Sequence, residues 1–177
     1  MTIRPAHDND LQRISDIYSH AREQMILSGN PNQWGNDKPS PETIKADIDN
    51  KQSYAITSSG QICGVFAFII GPDPTYQIIE DGSWLNDEPY GTIHRIASSG
   101  QIKGILAEVL SFCECRIHSI RIQNIRIDTH EDNQIMQHLL KKYGYTKCGH
   151  IYVEDGTQRI AYQKNVLNTT ARELLPK

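Results

Sequence analysis

Lys103 and Gly104 stand where an apolar, strand-like run turns into an amphipathic helix, and that junction is suited to holding a phosphate or pyrophosphate. Within residues 93–113, Ile102, Ile105, Leu106, Val109, Leu110 and Cys113 recur at the spacing of one apolar helix face. That phase predicts a helix with Gly104 in its first turn. Glycine costs a helix about 1 kcal/mol relative to alanine, so its presence there points to close approach by a ligand or another backbone. The first-turn N–H groups of a helix have no partners within it and carry the positive end of its dipole, which favours an anion. Lys103 adds a mobile positive charge. The plainer reading is a helix start whose glycine packs against a strand. Two familiar phosphate loops do not fit: the Walker pattern needs Gly-Lys-Ser/Thr, whereas Lys103 precedes Gly104, and G-x-G-x-x-G does not accommodate Gly100 and Gly104.

Other chemistry-bearing residues are scattered. Cys63, Cys113, Cys115 and Cys148 lie in apolar or helical contexts without paired spacing, so buried free thiols are expected rather than a metal site or nucleophile. His130-Glu131 opens like His-Glu-x-x-His, but Gln134 occupies the closing position, and His138 is too far along for a chelating pair. No metal is expected. His7, His20, His118 and His150 read as surface or polar-contact residues.

The elements that must position the loop can be followed along the chain. Ile3 to Ala6 reads as a short strand, followed by a helix from about Asp8 with Leu11, Ile14, Tyr18, Ala21 and Met25 on one face. A Gly/Asn/Pro-rich loop, residues 28–35, leads to a helix with Ser40 as N-cap. Residues 54–57 and 62–70 read as strands joined by a Ser58-Ser59-Gly60 turn, the second strand buried on both faces. Beyond the central helix come a strand over residues 124–129, a helix from Asn133 to Tyr143 stopped by Gly144, and a hairpin of residues 149–154 and 159–163.

Against this order of elements, Gln101-Ile102-Lys103-Gly104-Ile105-Leu106 resembles the Gln/Arg-x-x-Gly-x-Gly/Ala acyl-CoA pyrophosphate loop of the GNAT superfamily of N-acetyltransferases, with Leu106 where the family usually has Gly or Ala. Residues 133–145 are similar to the family's Asn-x-x-Ala-x-x-x-Tyr-x-x-x-Gly-Phe signature. Asn133, Gly144 and Tyr145 stand in matching places, Met136 replaces the alanine, and Leu140 replaces the tyrosine that commonly protonates the departing thiolate. The resemblance runs from Ile3 to about Lys164. It implies an α/β GNAT acyl-CoA N-acyltransferase fold, with a mixed, mostly antiparallel central sheet flanked by helices, in one domain over residues 1–177.

The function implied is an acetyl-CoA-dependent N-acetyltransferase that moves an acyl group from the CoA thioester to a primary amine by direct transfer in a ternary complex. Acetyl-CoA would be the cosubstrate, its pantetheine arm lying along Ile96, Ala97 and Ser98, with a main-chain N–H of Ile96 or Ala97 on the thioester oxygen. Gln101, Ile102, Lys103, Gly104, Ile105 and Leu106 would hold the pyrophosphate, and Asn133 joins the cofactor-binding set. Base candidates are His94, Glu80 and Asp81. His94 lies two residues before Ile96, on the same side of a regular strand, and histidine is suited to drawing a proton from an ammonium. With leucine at 140, the thiolate proton could come from water, Tyr143, Tyr145 or His138, and Tyr143 shares the face of Leu140. Trp34, Asp81 and Trp84 are expected around the acceptor, a small amine or a peptide. Two rivals have distinct signatures: a non-catalytic acyl-CoA-binding module would bind without turnover, and a metal-dependent hydrolase built on the histidines would need zinc.

Composition agrees with one cytoplasmic domain. The chain has 177 residues, 38% apolar and 22% charged, long enough to build its own core without disulfides. Its start has no apolar stretch of a signal peptide, and no run is long enough to span a bilayer. A net charge of −3 argues against general nucleic-acid binding. Arg116, Arg121 and Arg126, with acidic residues nearby, read as a solvated face. Dimers are common in the resembled family, so a homodimer is a candidate assembly.

Overall fold

The computed structural model describes residues 1–168; residues 169–177 of the expected 1–177 domain lie outside the described residues. Seven strands form a mixed, mostly antiparallel sheet in the order β1-β2-β3-β4-β5-β7-β6. The chain divides into two compact units: Met1–Phe68 with His94–Val109, and Ile69–Ile93 with the segment from Leu110 onward.

In the first unit, β1 (Thr2–Pro5) pairs antiparallel with β2 (Ser53–Ser58), which continues into β3 (Gln61–Ile70). The hairpin turn places Ser59 at φ 50° and Gly60 at φ 79°, the doubly left-handed geometry that matches strand twist. β3 is buried from Ile62 to Phe68, which explains its unbroken apolar run. Helix α1 (Leu11–Leu27) buries Ile14, Ile17, Tyr18 and Ala21 in a core shared with Ile44, Ile48, Ala55, Val65 and Ala97. Helix α2 (Pro41–Asp49) begins as expected, with the Ser40 hydroxyl accepting from the Thr43 N–H at 3.2 Å and proline in the first turn.

In the second unit, the opening of β4 (Tyr90–Ser98) runs parallel to β5 (Asn124–Thr129), from Tyr90↔Asn124 to Ile93↔Ile127. β5 then pairs antiparallel with β7 (Gln158–Asn165), and β7 with the edge strand β6 (Thr146–Tyr152). β6 begins before the expected Gly149, and its register shifts between Lys147 and Gly149. Helix α3 (Ile105–Ser119) follows the loop, and α4 (Gln134–Lys142) is capped by Asn133, whose side chain accepts from the Met136 N–H at 3.0 Å.

Two surface expectations are corrected. Arg126 is not on a solvated face: it is 4% exposed, because β5 is covered on both faces and its guanidinium finds partners inside. Cys115 is exposed, whereas Cys63, Cys113 and Cys148 are buried, and all four are free thiols. No described helix is long and apolar enough to cross a membrane.

Candidate active site

The loop expected to hold an anion belongs to the first unit. After β4 the Ser98 hydroxyl accepts from the Gly100 N–H at 3.1 Å, and the chain turns through Gly100 at φ 75°. Gly104 is not in the first helical turn. It precedes α3, adopts φ 86°, and its carbonyl accepts from the Glu108 N–H at 3.2 Å, so it caps the helix rather than occupying it. The sequence phase placed the helix start too early because Ile102 continues the apolar spacing across a non-helical turn. Only glycine adopts this left-handed conformation without penalty, and a side chain there would meet nothing within 4 Å. Among the described residues, no internal acceptor receives the backbone N–H groups of residues 101–107. Gln101, Lys103 and Gly104 are exposed, while Ile105 is buried and Leu106 half-buried. A run of unpartnered amides at the positive end of a fifteen-residue helix, beside open space, fits a pyrophosphate.

β4 departs from regular strand geometry beside the expected thioester segment. Arg95 lies at φ 55°, a left-handed conformation costing a non-glycine residue about 1–2 kcal/mol. The alternation expected to put His94 and Ile96 on one side of the strand is therefore broken between them. Arg95 donates from Nε and Nη2 to the two oxygens of buried Asp47, each at 2.8 Å, and its carbonyl accepts from the Tyr18 phenol at 3.0 Å. Burial pushes the Tyr18 phenol well above the ordinary tyrosine range, so it donates as a neutral hydroxyl. Beyond the break, the Ser99 N–H donates to the Cys63 carbonyl at 2.9 Å, and the Ala97 carbonyl lies 3.2 Å from the point a β-carbon on Gly64 would occupy. Ala97 thus turns its backbone polar groups toward β3, and by alternation Ile96 and Ser98 turn theirs to the opposite edge. His94, Ile96 and Ser98 are half-buried and Ala97 is buried. Trp34 is half-buried and packs edge-on to Tyr18, with ring centroids 5.6 Å apart.

The second unit holds the other expected site residues. Glu80 forms a two-way backbone bridge with His150, both N–H···O distances being 2.8 Å, and its carboxylate accepts from the Tyr152 phenol at 3.0 Å. That hydrogen bond raises the Tyr152 phenol above its usual range. Asp81, at φ 54°, places a carboxylate oxygen 3.1 Å from His150 Nδ1. Gly82 makes this docking sterically feasible, since a β-carbon there would sit 2.0 Å from the Cys148 carbonyl oxygen. The acidic pair is therefore fastened to β6, Glu80 by its backbone and the two carboxylates by the Tyr152 and His150 side chains, a feature that could not be read from the local sequence Glu-Asp-Gly.

Trp84 stacks on Tyr76 at 5.4 Å and donates Nε1–H to the Tyr76 carbonyl at 3.0 Å. The Arg126 guanidinium lies 4.0 Å from the Trp84 ring centroid and 3.9 Å from that of Tyr90, so Trp84 is engaged by packing inside its own unit. Below it the Tyr76 phenol donates to Asp128 at 2.6 Å, and burial pushes that phenol upward. Asn133 caps α4, and half-buried Tyr143 ends it with its ring against Lys142. Leu140 is fully buried and Tyr145 is 4% exposed, its phenol finding no hydrogen-bond partner among the described residues. His138 is exposed. Among the described residues, no group of three or more His, Cys, Asp or Glu is arranged to hold a metal ion.

No family model matches the chain, and no curated protein matches it. Solved structures do. A GNAT-family acetyltransferase from Streptococcus agalactiae shares 33% identity over 93% of this chain and 94% of that chain, with a TM-score of 0.80. The chain belongs to the GNAT acetyltransferase family. Two more distant proteins share the fold. A ribosomal-protein-alanine N-acetyltransferase from Brucella melitensis shares 15% identity over 93% of this chain and 99% of that one, with a TM-score of 0.61. The Salmonella typhimurium yncA protein, solved with its cofactor acetyl-CoA, shares 15% identity over 96% of both chains, with a TM-score of 0.63. GNAT membership accounts for the mixed, mostly antiparallel sheet flanked by helices.

Proposed function

We propose that this GNAT protein is an acetyl-CoA-dependent N-acetyltransferase that acts on a primary amine by direct transfer in a ternary complex, as one domain over residues 1–177. The observation that carries the reading is the run of unpartnered amides over residues 101–107 beside the open space at Gly104. Acetyl-CoA in the Salmonella neighbour supports the choice of donor, and the alanine N-acetyltransferase from Brucella supports an amine acceptor.

When bound, acetyl-CoA supplies an activated acyl carbonyl. Residues 101–106 hold its pyrophosphate, with Lys103 adding charge. The pantetheine arm pairs with the β4 edge to which Ile96 and Ser98 turn their backbone groups, which favours Ile96 over Ala97 as the donor to the thioester oxygen. His94, next to that segment, takes the proton from the acceptor ammonium. Glu80 and Asp81, held on β6, draw a cationic acceptor toward the protein. No side-chain acid is assigned at position 140, where leucine is fully buried, and the thiolate takes its proton from solvent.

The test is incubation of the purified protein with acetyl-CoA and a panel of amino acids, polyamines, aminoglycosides and short peptides, following thiol release and acceptor mass. The expected result is thiol release matched by one acetyl group on an amine nitrogen, with no acetylated enzyme accumulating. Saturable acetyl-CoA binding without transfer to any amine would overturn the enzymatic reading, and transfer only to hydroxyl groups would overturn the acceptor class.

A further inference from the structure

We infer that Tyr18 and Asp47 are positioning residues that aim the Ile96 N–H at the thioester carbonyl, and so make the protein distinguish acetyl-CoA from free CoA. The inference rests on the acyl-CoA reading above. It starts from the planarity of the peptide unit: the Arg95 carbonyl and the Ile96 N–H belong to one rigid trans plane and point in opposite directions. The Tyr18 phenol, 2% exposed on α1, donates to that carbonyl at 3.0 Å and therefore fixes the direction of the N–H on the far side. The side chain of the same residue is gripped independently from α2, where Asp47, 7% exposed, receives two parallel N–H bonds at 2.8 Å. A two-point guanidinium–carboxylate contact sets orientation as well as charge.

Both grips act on the residue at φ 55°, a conformation that persists in a non-glycine residue only when its surroundings over-determine it. If either is lost, Arg95 can relax toward extended geometry and the Ile96 N–H swings with the plane. The sequence around it, Ile-His-Arg-Ile-Ala, gives no local reason for the conformation. The two helices therefore impose it on the strand. The consequence concerns one ligand atom: acetyl-CoA carries a carbonyl oxygen for this N–H and CoA does not, whereas both carry the same pyrophosphate for residues 101–106.

The experiment is calorimetric titration of wild type, Tyr18→Phe and Asp47→Asn with acetyl-CoA and, separately, with CoA. Wild type is expected to prefer acetyl-CoA by about five-fold, the worth of one hydrogen bond. Each variant is expected to bring that ratio toward one while keeping its affinity for CoA within about two-fold of wild type. Tyr18→Phe removes one hydroxyl without changing ring packing, so it separates aiming from core damage, which would weaken both ligands together. An unchanged ratio in both variants, parallel loss of both ligands, or a wild-type ratio of one would overturn the inference. Failure of wild type to bind either ligand would instead overturn the acyl-CoA reading on which it stands.

Discussion

The two units of this protein bury their polar groups in opposite ways. The unit bearing the loop has an aliphatic core of Ile14, Ile17, Ile44, Ile48, Ala55 and Val65. Its principal buried ionic contact joins Asp47 to Arg95, where the backbone is strained. The other unit threads polar groups through its interior: Arg126 lies between Trp84 and Tyr90 and donates to the Asn86 carbonyl at 2.9 Å, while Gln163 bonds Asn124 at 3.0 Å. Lys164 pairs with Glu114 at 2.8 Å, and burial still raises the Glu114 carboxyl above its usual range. The unpartnered amides of residues 101–107 follow from their place at the start of α3, whereas a polar network fixes side chains in one arrangement and is costly to leave half-satisfied.

Arg126→Ala leaves a cavity between two rings and an unpaired Asn86 carbonyl, and should cost about 3 kcal/mol or more in urea unfolding. A loss below about 1 kcal/mol would mean that the network contributes little. In the loop-bearing unit, His94→Ala should lower turnover about 100-fold while leaving acetyl-CoA affinity within about two-fold, separating proton transfer from binding in steady-state kinetics and calorimetry. Equal loss of both would remove His94 from the base role.

Gly82→Ala sharpens the contrast from the other side. Its β-carbon would press on the Cys148 carbonyl, so the Glu80 bridge to His150 should open at a cost of about 1–3 kcal/mol, read as faster amide exchange at both residues.

The smallest effect belongs to Asp10, whose carboxyl is held below its usual range chiefly by the hydrogen bond from Arg4. Its folded pKa is depressed, so the stabilisation is present above the ordinary carboxylate range and is lost as pH falls through the lowered value. Asp10→Asn should remove about 0.5 kcal/mol at neutral pH and flatten that acid-side component in a series of melts against pH.

Much of the fold was legible because its signals are local. The Ser40 cap, the Ser58-Ser59-Gly60 turn, the apolar spacing of α1 and the stop at Gly144 each depend on residues a few positions apart. The loop was legible for the same reason, although periodicity extended its helix back to Ile102 and misplaced Gly104. What was not legible depends on distant partners. Arg126 reads as a surface residue until Trp84 and Tyr90 are brought around it. Arg95 reads as one residue of a regular strand until Asp47 and Tyr18 reach it from two helices. Gly82, within Glu-Asp-Gly, carries no local sign that the β6 backbone lies against it.

The most direct test of the central claim is titration of acetyl-CoA into wild type and Gly104→Asp, with an unfolding curve for each. A side chain at Gly104 enters open space, so the substitution should cost the fold only about 1 kcal/mol for its left-handed backbone. Wild type should bind one-to-one, with at least a 100-fold loss, about 2.7 kcal/mol, when a carboxylate is placed in the proposed pyrophosphate site. No binding to wild type at millimolar ligand, or unchanged affinity in Gly104→Asp, would contradict that claim.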